Sequence, residues 1–175
     1  MTNETFDEYT ARIFGYVGKR DPRRLLPKTP AALARRLAGV PRRRLTTRPA
    51  PGKWSVGEIL AHLSEIELLW GYRVRTLLEH DEPEIVGMDQ EVWARVGRYE
   101  KRDPRESLAL FTALRRSNAA LLKALPPKAL ARRGRHSQFG GLSIADIARL
   151  LAGHDVNHTR QIDAILRKRL RRAAR

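Results

Sequence analysis

The sequence predicts an all-α protein, a four-helix up-and-down bundle with an extra short N-terminal helix. Three observations carry that reading. Apolar residues recur at spacings of three and four through long stretches near 56–80, 104–125 and 144–170. Capping signals mark where those stretches begin. No segment shows convincing strand alternation, and no internal repeat is present. With 175 residues and 42% hydrophobic content, the chain can bury one sizeable core but not readily two. Long amphipathic helices with short connections pack most economically as a bundle.

The elements follow in order. A first helix runs from about 3 to 17, followed by a basic linker through Pro22 and Pro27. Thr29-Pro30 opens a short helix to about 39, since proline is tolerated in a first turn. Pro41 to Lys53 is proline-rich and basic and reads as loop. Ser55 and Glu58 form a capping box, with Trp54 and Ile59 as its hydrophobic staple. The helix they open spans about 56–80 and ends at His80-Asp81-Glu82-Pro83. A short helical piece is expected near 89–98. Asp103-Pro104-Arg105-Glu106 sets an N-cap, a first-position proline and an N3 glutamate in order, opening a helix over 104–125 that stops at Pro126-Pro127. Gly134 to Gly141 reads as loop. Ser143 and Asp146 resemble a second capping box, flanked by Leu142 and Ile147, and open the last helix, about 144–170. The resulting division is an N-terminal extension over 1–28, a bundle over 29–168 and a basic tail over 169–175.

Composition narrows the chemistry. The chain has no cysteine, which excludes disulfides, thiolate metal sites and cysteine nucleophiles. Its acidic N-terminus lacks the apolar stretch of a secretory signal, and no apolar run approaches the roughly 20 residues of a membrane span. A cytoplasmic location is the expectation. Lys and Arg number 35 against 19 Asp and Glu, a formal net charge of +16. The basic residues are dispersed, and aromatic content is only 6%, so no single-strand stacking platform is evident. No specific nucleic-acid binding is expected; the basic tail offers at most weak anion binding.

Three histidines stand out. His62 lies on the apolar stripe of the 56–80 helix with Ile59, Ile66, Leu69 and Leu77, and His154 and His158 lie on that of the last helix with Ile147, Leu151, Ile162 and Ile165. Four residues apart, His154 and His158 project from one helix in the same direction. An apolar face excludes imidazole unless its nitrogens have partners. If the two helices pack together, three imidazoles converge as an open metal site. Imidazole suits zinc, nickel, iron or copper rather than magnesium or calcium, and such an ion would ionise a bound water or thiol near neutrality. Glu58, Asp155 and Gln161 are candidates to orient the rings, and Glu58 is also the candidate general base. Glu67, on the same helix as His62, is expected to pair structurally with Arg73. His80 reads as a surface residue at a helix end, whereas His136 sits in a loop that could reach the mouth of the site.

The stretch from Pro51-Gly52-Lys53-Trp54-Ser55 through His62-Leu63, then Glu67 and Arg73, then Gly141-Leu142-Ser143 and Gly153-His154-Asp155-Val156-Asn157-His158-Thr159-Arg160-Gln161, resembles the DinB-like superfamily. That superfamily includes YfiT-type metal-dependent hydrolases and thiol-dependent transferases. The resemblance covers about residues 28–168. It implies a four-helix bundle, often dimeric, that binds zinc or nickel through a histidine triad, here His62, His154 and His158. It also implies a small-molecule substrate and, in some members, a low-molecular-weight thiol activated for transfer or isomerisation. The expected function is therefore metal-dependent, with thiol-dependent transfer first, a hydrolase as the alternative enzyme, and a non-catalytic basic helical binding protein as the alternative outside enzymology.

Overall fold

The Ser55 hydroxyl accepts the Glu58 amide hydrogen at 3.2 Å, and the Glu58 carboxylate accepts that of Ser55 at 2.8 Å. This reciprocal cap starts the central helix of a computed structural model that describes residues 4–173, with side chains at 4, 5 and 7–167. In chain order the helices are α1 (Phe6–Val17), α2 (Pro22–Leu25), α3 (Thr29–Leu37), α4 (Arg42–Thr46), α5 (Val56–Glu79), α6 (Gln90–Val96), α7 (Pro104–Ala124), α8 (Pro127–Leu130) and α9 (Ile144–Ala173). The long helices α1, α5, α7 and α9 form a four-helix bundle. α5 packs against both α7 and α9, and α1 packs against α9. The short α2 and α3 each touch both α7 and α9. No described helix is long and apolar enough to cross a membrane.

Most helix starts are where the sequence places them. Asp103 caps α7 by accepting the amides of Arg105 and Glu106, and Ser143 and Asp146 cap α9 through a hydroxyl–amide bond of 3.0 Å and its reciprocal. The first helix begins later than expected, at Phe6, because Thr5 and Glu8 form a capping box there. The basic tail expected at 169–175 falls on side chains outside those described.

Two features differ from the sequence reading. The Pro41–Lys53 segment contains α4, anchored by the buried Leu45. The stretch read as loop at 134–141 is part of a hairpin, β2 (Arg133–His136) against β3 (Gly140–Ser143), and β1 (Glu84–Ile85) joins β2 in parallel. These strands are too short and glycine-rich to show a period of two. Gly134 is required there: a Cβ would stand 2.6 Å from the Pro83 carbonyl oxygen and 2.7 Å from Leu77. α1 packs against α9. Ile13 and Val17 are buried in the core, and Gly153 on α9 lets the α1 backbone approach so closely that a Cβ would lie 2.2 Å from the Ile13 carbonyl oxygen.

The core is divided. One apolar cluster gathers Ile13, Ile66, Trp70, Leu142, Ile147 and Leu151 at the hairpin end. The other gathers Leu33, Ile59, Leu60, Leu63, Phe111 and Ile162. Burying each such side chain contributes about 1.5–3 kcal/mol. At the junction the helices carry polar groups inward: His62 and Glu67 from α5, Arg115 from α7, and His154, Asp155 and His158 from α9.

Candidate metal centre

His62 follows the Ser55 cap by two turns of α5, and Trp54, immediately before the cap, lays its ring 4.9 Å from the imidazole. His154 and His158 are one turn apart on α9. Packing of α5 on α9 brings His62 Nε2 within 3.0 Å of His154 Nε2, which in turn lies 3.0 Å from His158 Nε2. One ligand atom from each of the three lies within 4.8 Å of the others. Three nitrogens about 2.0–2.1 Å from a common ion, at angles of about 90–110°, stand about 2.9–3.4 Å apart. The two spacings centred on His154, each 3.0 Å, fit that requirement, and the third pair lies within 4.8 Å.

The proton inventory points the same way. Gln161 Oε1 lies 3.0 Å from His158 Nδ1, so that nitrogen carries the proton and Nε2 presents a lone pair. His62 and His154 bury their Nδ1 atoms without a hydrogen-bond partner among the described residues. Three neutral rings facing one another through Nε2 can share one proton in that space but cannot satisfy every nitrogen. A cation at their focus would satisfy all three Nε2 lone pairs at once. The rings are held neutral. Burial, and then the His158 ring, push His62 well below the usual imidazole range. Burial, the two neighbouring imidazoles and the Arg115 charge do the same to His154. Burial lowers His158 to about 4 against the opposing pull of Gln161 and Asp155. Neutral imidazole is the form that ligates a metal.

Beside the rings runs a buried ionic network. Arg115 contacts Glu67 Oε1 at 2.7 Å and Asp155 Oδ1 at 2.9 Å, and donates to the Leu26 carbonyl at 3.0 Å. Thr29 donates to Asp155 at 2.6 Å, and Asn118 donates to Glu67 at 3.0 Å. The partner of Glu67 is thus Arg115, not the Arg73 expected from the sequence. Arg115 comes from α7, a helix whose register against α5 the sequence does not reveal. Arg73 instead stacks over Trp70, 4.3 Å from the ring centroid, and donates to the Val86 carbonyl.

Glu58, the sequence candidate for a base, is engaged by its cap and by Arg48, whose Nε donates at 3.0 Å. Burial alone would raise its carboxyl, but the hydrogen bonds from Arg48 and Ser55 outweigh this and leave it lowered. It lines neither opening described next.

A cavity of about 150 Å³ reaches His62 and His154 between Ile66, Trp70, Arg73 and His136. A second, more polar opening reaches His158 past Trp54, Gln90, Glu91 and Gln161. Gln90 lines both. His136 therefore does stand by the site, at the end of β2 rather than in the loop read from the sequence, while His80 is exposed beside Glu79. Sequence reading passed over Gln90 and Glu91, since nothing in the pattern ties α6 to the histidines.

A family model for the DinB superfamily matches residues 25–162. A protein of Oceanobacillus iheyensis that carries the provisional name metal-dependent hydrolase OB0782 is 27% identical over 126 residues, covering 71% of this chain and 72% of that one. Among solved structures, YfiT from Bacillus subtilis, described as a probable metal-dependent hydrolase with an unusual four-helix bundle topology, superposes with a TM-score of 0.77 at 21% identity. That match covers 96% of this chain and 91% of YfiT.

Proposed function

The chain belongs to the DinB superfamily, and from that premise we propose that it is a hydrolase of a small-molecule substrate that depends on a divalent metal held by His62, His154 and His158. The observation that carries this reading is the convergence of three imidazoles from α5 and α9, with His154 Nε2 3.0 Å from both His62 Nε2, 92 residues earlier in sequence, and His158 Nε2. When bound, zinc or nickel there would supply Lewis acidity to a water and to the substrate's scissile group. The chain's own residues do the rest. Gln161 fixes the tautomer of His158. Trp54 covers the His62 ring and limits solvent on that side. The Arg115–Asp155 pair holds α9 in register with α7. The two openings separate an apolar approach at His62 and His154 from a polar one at His158, where Glu91 is the carboxylate available to take a proton. Glu58 keeps a positioning role at the α5 cap.

Hydrolysis is preferred over thiol transfer because both named relatives are called metal-dependent hydrolases. A homodimer fits the same reading: Leu68 and Tyr72, one turn apart on α5, are 58% and 68% exposed and give the bundle an apolar face. The test is a screen of chromogenic esters, amides and phosphoesters with zinc- or nickel-loaded protein. Turnover that chelation abolishes and metal restores supports the reading. Activity that appears only with an added low-molecular-weight thiol would replace hydrolysis by transfer.

A further inference from the structure

The apolar cavity beside the histidines contains one charge without a countercharge. Arg73 is 5% exposed, yet among the described residues no carboxylate pairs with it. Its polar contact is the donation to the Val86 carbonyl, and a guanidinium offers five donors. The Trp70 ring beneath it holds the group in place without satisfying those donors. Burying an unpaired cation is costly, and structures keep one where a ligand supplies the opposite charge. The other arginine buried among the described residues, Arg115, is paired with both Glu67 and Asp155.

A second donor lines the same cavity. His136 Nδ1 accepts the amide hydrogens of Gln138 at 3.1 Å and Phe139 at 3.4 Å, so its proton resides on Nε2. The ring stacks near-parallel on Trp70, with centroids 6.2 Å apart. Burial and the Arg73 charge lower this imidazole to about 4, so at neutral pH it is an uncharged donor beside a cation. Trp70 thus carries Arg73 and His136 together, at the far end of a cavity whose other end is His62 and His154. Between them the wall is Ile66, Leu69 and Leu151. Along α5, His62 and Arg73 are separated by a rise of about 16 Å.

We propose that Arg73 and His136 form an anion-binding end of this cavity, and that the substrate is a small amphipathic acid whose anionic group docks there, with an apolar body that extends toward His62 and His154. This deepens the hydrolase reading by naming the substrate's class: the acid group is the handle, and the bond to be cleaved lies at the other end. Arg73 acts as a binding and orienting residue. Its planar fork suits a carboxylate or a phosphate, and the aromatic floor fixes its direction.

The test uses full-length protein stripped with a chelator, so that no metal can hold the probe. Hydrocinnamate and its uncharged amide, hydrocinnamamide, are titrated by calorimetry. The acid should bind about ten- to a hundredfold more tightly than the amide, the range of a hydrogen bond to a charged group. In Arg73→Gln the two should bind alike, and Arg73→Lys should keep part of the preference. His136→Gln should weaken the acid more than the amide. Phenethyl phosphate in place of hydrocinnamate identifies which anion the fork prefers, and preference for either over the neutral amide supports the proposal. Failure of both hydrocinnamate and phenethyl phosphate to bind better than the amide in the natural protein overturns it without any variant. An undiminished preference in a folded Arg73→Gln also overturns it, since the general basic charge of the chain would then explain the effect. Metal content is measured separately, so loss of the metal reading leaves this result standing.

Discussion

Asp155 directly follows His154 and accepts a hydrogen bond from Arg115 Nη2 at 2.9 Å, so the helix that presents two of the three imidazoles is locked to α7 at the level of the site. Arg115 also contacts Glu67, one helical turn and a half past His62 on α5. One guanidinium therefore ties together the three helices around the histidines. Arg115 is 2% exposed and Glu67 0%. Arg115→Met would leave two carboxylates facing each other in a dry core. We expect a loss of about 3–5 kcal/mol, measured by urea unfolding. Adding Glu67→Gln and Asp155→Asn should recover part of it, because the uncompensated charges are then removed.

Gln161 is the only described partner of a histidine Nδ1 within the triad. Gln161→Ala should leave the fold unchanged by circular dichroism while weakening zinc about 10–100-fold, the range for loss of an orienting hydrogen bond. A competition titration against a chromophoric chelator reads this directly. Gln161→Glu, which retains an acceptor, should retain most of the affinity.

Buried neutral histidines make stability depend on pH in a definite direction. In the unfolded chain an imidazole takes a proton near 6.5. In the folded, metal-free protein His158 resists until about 4; burial and the His158 ring hold His62 well below the usual range, and burial and the two other imidazoles do the same to His154. The unfolded state therefore binds more protons below about 6.5, and stability falls as pH falls through that window. Denaturant midpoints of metal-free protein should drop from pH 7 to pH 4.5. Replacing His158 with Gln should flatten that slope.

The close approach of α1 and α9 predicts opposite outcomes for two glycine substitutions. Gly153→Ala places a Cβ against the Ile13 backbone and should cost about 1–3 kcal/mol, since a main chain cannot move aside cheaply. Gly15→Ala, on α1 with no atom within 4 Å of the new methyl, should be neutral or stabilise by up to about 1 kcal/mol. Thermal unfolding of the two variants checks whether α1 is integral to the bundle.

The parts of this protein legible in its sequence were those specified locally. The Ser55–Glu58 and Ser143–Asp146 boxes and the Asp103-Pro104 start each act within a single turn, so α5, α7 and α9 begin where their residues say. The facing of His62 toward His154 and His158 followed from helical spacing once those helices packed. What stayed hidden depends on register between distant elements. Arg115 and Arg73 are both arginines on helices, and only the packing of α7 on α5 decides which one meets Glu67. The β2–β3 hairpin was illegible because its strands are four residues long and three of their positions are glycine, Gly134 for close approach to Pro83 and Leu77, which leaves no apolar alternation to read. The role of α1 in the core was hidden for a similar reason: its fit depends on a missing side chain at Gly153.

The most direct test of the central claim is metal stoichiometry. Purified protein is reconstituted with zinc or with nickel, desalted, and assayed for metal and protein together. The natural chain should retain one ion per chain, and His62→Ala, His154→Ala and His158→Ala should each lose it while their helical circular dichroism is preserved. A natural chain that retains no ion, or a His62→Ala variant that holds its ion as tightly as the natural chain, would contradict the account.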